Sequence, residues 1–149
     1  MIKKTITFAL MSTALTLVGS LSTLLLMSQV ANAAQLKVNI SEVNQGKGHL
    51  MVGLYASEQD FNQGKASFGS RVKAENGSEL VVFENVPEGS YAIKIYQDEN
   101  SNQKLDFNFM GIPQEGYGYS NNVGRFGAPA FNEAVFSVDR NTEIAIELF

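Results

Sequence analysis

Apolar and polar residues alternate over 36–41, with Leu36, Val38 and Ile40 on one face and Lys37, Asn39 and Ser41 on the other. A repeat of two residues marks a strand with one buried face. Gln45-Gly46-Lys47-Gly48 interrupts the pattern as a turn. His49–Tyr55 resumes it, setting Leu50, Val52 and Leu54 against Met51, Gly53 and Tyr55. Ser57-Glu58-Gln59-Asp60-Phe61 places a hydroxyl ahead of acids, the arrangement that opens a helix by satisfying its free N–H groups. Gly64 stops that helix early. A weaker strand over 68–74 ends at Glu75-Asn76-Gly77-Ser78, where Asn-Gly is a strong turn dipeptide. Residues 80–83 and 91–96 read as strands on either side of the Pro87/Gly89 turn. Residues 134–138 and 143–149 flank Asp139-Arg140-Asn141-Thr142 and predict a closing hairpin. About seven short strands with almost no helical period predict an all-β domain, an antiparallel β-sandwich.

Residues 97–133 break the rule, because no period runs through them. Loops beyond roughly 15 residues are uncommon in compact domains and usually carry function or disorder. This one holds Phe107, Phe109, Met110, Ile112, Tyr117, Tyr119, Phe126 and Phe131, side chains that are costly to leave in water. It is therefore expected to fold back over one end of the sandwich. Gly111, Gly116, Gly118, Gly124 and Gly127 are the expected points of positive φ.

At the head of this long loop stands Asp98-Glu99-Asn100-Ser101-Asn102-Gln103-Lys104-Leu105-Asp106. Hard cations such as Ca2+ require several oxygen ligands at once, and the EF-hand supplies them from alternate positions 1, 3 and 5, a backbone carbonyl at 7, and position 9. Asp98, Asn100, Asn102, the carbonyl of Lys104 and Asp106 fall on those positions. Two departures stand out. Gln103 occupies the place of the usual Gly, and Phe109 that of the bidentate acid, which leaves Glu115 as the nearest acid to replace it. Any such site belongs at the weak end, with Kd on the order of 10⁻⁴–10⁻³ M. The same residues can instead form an array of Asx turns that merely shapes a surface loop. Both readings stay open at this point.

The N-terminus changes the setting. Lys3 and Lys4 precede an apolar run from Ile6 to Met27, and Ala31-Asn32-Ala33 follows. That pattern predicts a signal peptide of residues 1–33, cleaved after Ala33, with a single domain over 34–149. The run is also nearly long enough to be an uncleaved membrane anchor, and its scattered Ser and Thr and the small residues at its end favour cleavage. The address is a Gram-negative-type envelope, periplasmic or secreted, with no membrane insertion after cleavage. Cleavage would remove two lysines and no acid, leaving 11 − 2 = 9 Lys+Arg against 15 Asp+Glu, a net charge of −6. An acidic chain with no basic cluster has no electrostatic footprint for nucleic acid or anionic lipid. There is no cysteine, which excludes disulfides, thiolate chemistry and Cys-ligated zinc. The fold must then rest on its core, with or without help from a bound ion.

Catalytic signals are weak. The single histidine, His49, opens a strand far in sequence from the acids, and Ser120 in Gly118-Tyr119-Ser120-Asn121-Asn122 is not a nucleophile elbow. Tyr117 and Tyr119, with Asn121, form a candidate stacking platform for a sugar or peptide. The leading expectation is a non-enzymatic envelope protein that binds another envelope component, a protein or a glycan. Its rival is a glycan hydrolase using two of Asp98, Glu99, Asp106 and Glu115, carboxylates that would need to face each other about 5–9 Å apart.

Three motifs carry a resemblance: Pro87, Gly89, Tyr91 and Ala92 as P-x-G-x-Y-A; Asp98 to Asp106 as D-x-N-x-N-x-x-L-D; and Gly111 to Asn122 as G-I-P-x-E-G-Y-G-Y-S-N-N. Together they resemble the exported bacterial family catalogued as domain of unknown function 2141. The likeness extends weakly through Pro129-Ala130-Phe131 and back to residues 48–61. The resemblance implies an exported all-β domain, transthyretin-like or immunoglobulin-like, and no activity. The family pattern carries Gly where this chain has Gln103.

Overall fold

A computed structural model describes residues 33–149; the n-region, the apolar run and Ala31-Asn32 of the expected cleavage motif lie outside the described residues. Eight strands and two short helices follow one another: β1 (Ala33–Ser41), β2 (His49–Tyr55), α1 (Glu58–Gln63), β3 (Phe68–Lys73), β4 (Ser78–Pro87), β5 (Gly89–Asp98), β6 (Tyr117–Tyr119), α2 (Phe131–Ala134), β7 (Phe136–Val138) and β8 (Asn141–Glu147). A single 3-10 turn, Ser120–Asn122, follows β6.

The strands form two sheets, β4-β1-β8 and β3-β2-β5-β6, with β7 also pairing β5. Their facing sides make the main core. Leu36, Val38 and Ile40 of β1 and Leu50, Val52 and Leu54 of β2 are buried as the alternation requires. Val81 and Phe83 of β4, Ile93 and Ile95 of β5, Ile146 of β8 and Leu148 complete it. The outer face of the second sheet has a cover of its own. Tyr55, Phe61, Ala92 and Ala134 are buried there, with Tyr119, Val123 and Phe131 packed against them. Phe61 makes edge contacts with Tyr55 and Phe131, both at 5.6 Å between ring centroids. Lys94 Nζ sits 3.9 Å above the Phe61 ring and donates to the Phe61 carbonyl. Burial there lowers the Lys94 pKa below its usual value.

Helix α1 forms where expected. The Ser57 hydroxyl accepts from the Asp60 N–H, and Gly64 ends the helix at φ 68°. The closing hairpin does not form. β7 pairs antiparallel with β5, whereas β8 lies parallel to β1 in the other sheet. The connection between them crosses the sandwich: layers stand about 10 Å apart, a gap that a few extended residues can span at about 3.3 Å each. In β8, Ile144 and Ile146 pair with Val38 and Ile40, so the apolar pattern of β8 is satisfied next to β1. One strand pair of the sandwich is therefore parallel.

Two glycines place the long loop by leaving room. A Cβ on Gly48, which has φ 60°, would stand 1.9 Å from the Asp98 carbonyl oxygen. The start of β2 can lie this close to the end of β5 only without a side chain. On Gly118 a Cβ would stand 3.0 Å from both the Glu147 carbonyl oxygen and Ile146 Cγ2, so β6 packs directly against the C-terminal strand. Gly111, Gly124 and Gly127 take positive φ as expected. Gly116 and Gly118 do not: their role is close packing.

Candidate functional site

β5 leaves the sheet at Asp98, whose side chain is fully buried. Its carboxylate accepts the N–H groups of Asn102 and Gln103, both at 3.0 Å. The Asn100 side-chain oxygen also accepts the Asn102 N–H, at 3.0 Å, and that of Asn102 accepts the Lys104 N–H, at 2.8 Å. These are the Asx turns that short oxygen-bearing side chains favour. The array curls so that the side-chain amides of Asn100 and Asn102 both donate to the Asp106 carboxylate. Four of the five sequence-predicted cation ligands, Asp98, Asn100, Asn102 and Asp106, are thus joined by one hydrogen-bond network. The fifth, the Lys104 carbonyl, belongs to the same turn.

Both departures from the EF-hand pattern have a structural answer. Gln103 adopts φ 62°, the left-handed conformation that glycine takes without steric cost. Its carbonyl accepts the Tyr96 hydroxyl at 2.9 Å, which helps hold it there. Burial, then the nearby Asp98 and Glu115, raise the Tyr96 pKa. Glu115 reaches back into the loop as a buried carboxylate. Its Oε1 accepts the Glu99 N–H at 2.9 Å and its Oε2 accepts the Asp106 N–H at 3.0 Å, so it clamps the two ends of the turn together. No group of three or more His, Cys, Asp or Glu side chains suited to a metal ion occurs among the described residues; two of the five predicted ligands, Asn100 and Asn102, are asparagines.

In the sequence an apolar strand masks Gln97. It is fully buried. Its Oε1 accepts the Asn44 N–H at 2.9 Å, and its Nε2 donates to the carbonyls of Asn44 and Lys47, both at 2.7 Å. This side chain ties the β1–β2 connection to the root of the loop. Period-2 parity was the available signal, since Gln97 falls on the inward face after Ile93 and Ile95.

Beyond Glu115 the motif residues hold the edge of the sandwich. Tyr117 and Tyr119 pack edge to face at 6.2 Å, and the Tyr117 hydroxyl donates to the Arg125 carbonyl at 3.0 Å. Both line a cavity of about 390 Å3 with Leu105, Phe107, Ile112 and Phe126, of the size that takes a small ligand. The third predicted ligand residue, Asn121, stands elsewhere: its amide donates to the carbonyls of Glu133 and Val135 and anchors α2. Ser120 is buried; its hydroxyl accepts the Ile93 N–H at 2.9 Å and donates to the Ala134 carbonyl. His49 pairs through Nδ1 with Arg71 at 3.1 Å on the exposed strand surface.

The expectation that the loop folds back over the sandwich holds for Tyr117, Tyr119 and Phe131, which pack against Phe149 and Phe61, and fails for the rest. Phe107, Phe109, Met110, Ile112 and Phe126 are exposed; four of them belong to the connection between β5 and the edge strand β6.

No curated protein matches the chain, and no solved structure does. A family model matches residues 38–145, from the middle of β1 into β8. The chain therefore belongs to the family described as an uncharacterized protein conserved in bacteria, domain of unknown function 2141.

Proposed function

We propose that the protein is an exported, non-enzymatic β-sandwich of the cell envelope, periplasmic or secreted, that binds another envelope component, with a loop ordered by Ca2+. The observation that carries the reading is the 98–106 network: oxygen-bearing side chains curled around Asp106 and closed from behind by Glu115. A cation there would replace the amide hydrogens that now neutralise Asp106. Asp98, Asn100, Asn102, the Lys104 carbonyl and Asp106 would hold it, and Glu115 would keep the turn closed.

The state of the acids supports a binding role over hydrolysis. Asp98 and Glu115 are buried, and both oxygens of each accept backbone N–H groups. A general acid or base has to reach its substrate, and these two carboxylates point into their own backbone. Export suits the fold as well, since cleavage after Ala33 would remove a single residue from β1. No helix among the described residues is long and apolar enough to cross a membrane.

The test is thermal unfolding in ~10 mM Ca2+ and in chelator. At a free ligand concentration about ten times Kd, binding to the folded state alone adds about 1.4 kcal/mol. Asp106→Ala is the informative variant, because Asp98→Ala would also strip two backbone N–H groups of their acceptor. A Ca2+-dependent rise that Asp106→Ala abolishes supports the reading. Equal melting in both solutions removes the cation from it.

A further inference from the structure

Seven large apolar side chains stand exposed among the described residues, and five of them, Phe107, Phe109, Met110, Ile112 and Phe126, belong to two neighbouring loops. Phe107, Ile112 and Phe126 border the same cavity, so the loops meet. Phe109 is 97% exposed and Phe126 wholly so. Contiguous apolar surface of this kind on a soluble chain marks an interaction site.

The turn is built for a medium with little water. Phe107 bridges Pro113 across its base. The Asn108 N–H donates to the Ile112 carbonyl and the Gly111 N–H to the Asn108 carbonyl, both at 2.9 Å. The Asn108 side chain accepts the Met110 N–H at 2.8 Å and the Ile112 N–H at 3.0 Å, while Pro113 has no N–H to satisfy. Within 108–113, entering an apolar phase therefore strands the Phe109 N–H alone among backbone donors; stranded donors are the main obstacle for irregular backbone there. Charge is distributed to match. The chain carries net −4, yet 107–114 holds no charged residue, and the only ionised side chain lining the cavity is Arg125, stacked 5.2 Å above the Phe149 ring.

We propose that this two-loop tip docks the protein peripherally on a lipid bilayer, with Phe109, Met110 and Phe126 entering the interfacial region to a depth of about 5–10 Å. No carboxylate is carried in with them, so the acidic charge of the rest of the chain does not oppose docking on a neutral surface. Tyr117 and Tyr119 at the base of the tip suit its wet boundary, with apolar rings and polar ends. A second copy fits less well: a stable dimer engages about 20–30 residues a side, and the tip is one short turn and one phenylalanine. The inference goes beyond the cation reading and does not depend on it, because Asn108 and the Phe107–Pro113 bridge shape the turn.

The chain has no tryptophan, so one can be placed as a local reporter. In the full chain with chelator present, Phe109→Trp is compared with Leu80→Trp, an exposed site on β4. Neutral phosphatidylcholine vesicles are added, with and without brominated acyl chains. The expected result is blue-shifted emission and bromine quenching at position 109 and neither at position 80. Adding Phe126→Asp to the reporter, at a fully exposed position that leaves the fold intact, should weaken partitioning about tenfold or more. Emission at 109 unchanged by lipid overturns the proposal. So does equal quenching at both positions, which means the chain adheres elsewhere. A blue shift at 109 without lipid also overturns it, because another part of the chain or a second copy then covers the tip.

Discussion

Replacing Glu115 by Gln changes one oxygen to an amide nitrogen at the point where the loop closes. Both carboxylate oxygens are in use, accepting the Glu99 and Asp106 N–H groups at 2.9 and 3.0 Å. Glutamine keeps one acceptor and turns a donor toward the other N–H. A hydrogen bond to a charged group contributes about 1.5–3 kcal/mol; one is lost outright and the other falls to neutral strength. The expected cost is about 2–4 kcal/mol, with the acid mostly buried and its partners half-buried. The loop belongs to the cooperative unit, since the Gln97 N–H donates to the Gly116 carbonyl at 2.7 Å and β6 pairs with β5, so the cost should reach global stability. Urea unfolding measures it as a lower midpoint at unchanged slope, with Glu88→Gln, an exposed site, as control. A change below about 0.5 kcal/mol, the range of ordinary surface substitutions, would refute the clamp.

Other substitutions probe the rest of the account. Gln97→Ala strips acceptor or donor from Asn44 and Lys47 and should cost about 2–4 kcal/mol in urea unfolding. Gly118→Val places a side chain 3.0 Å from the Glu147 carbonyl oxygen; overpacking of this kind should lower stability by about 1–3 kcal/mol in the same assay. Gln103→Gly relieves the left-handed backbone at φ 62° and should raise the melting temperature, a gain of about 0.5–1 kcal/mol after glycine's entropic cost. Alkali should unfold the protein. Burial raises the pKa of Tyr55, Tyr91, Tyr96 and Tyr119 above 10.0, so their contribution is intact below that pH and is lost as pH climbs through the raised values. Lys94, with its pKa lowered, acts in the opposite sense up to 10.5 but is one group against four. Phenolate absorbance should rise with unfolding; ionisation of these tyrosines with a midpoint at 10.0 while the fold persists would contradict this.

Local pattern carried the strands that face the core. Leu36, Val38 and Ile40 needed only parity, and Ser57 and Gly64 marked both ends of α1. Partnership between strands was less visible. β8 has the same alternation whether it pairs with β7 or with β1, and only the packing of Ile144 and Ile146 beside Val38 and Ile40 decides it. β6 is too short for any period to register, so its three residues vanished into the long loop. At the site, spacing alone assembled Asp98, Asn100, Asn102 and Asp106, because an Asx array is a local structure. Glu115 was named from sequence as a stand-in acid, while its use as a backbone clamp depends on how the chain returns along β5. The exposed Phe109 and Phe126 run against the expectation that large apolar residues fold inward. Nothing in a one-dimensional pattern tells a buried phenylalanine from one at the tip of a turn.

The most direct measurement is amide hydrogen exchange over residues 98–116 with Ca2+ and with chelator, read against β1 as an internal standard. The account predicts that Ca2+ slows exchange at Asn100–Asp106 by about tenfold when the ion is present at ten times Kd, with β1 unchanged. Identical exchange in the two solutions would contradict it and leave the loop as turn chemistry alone.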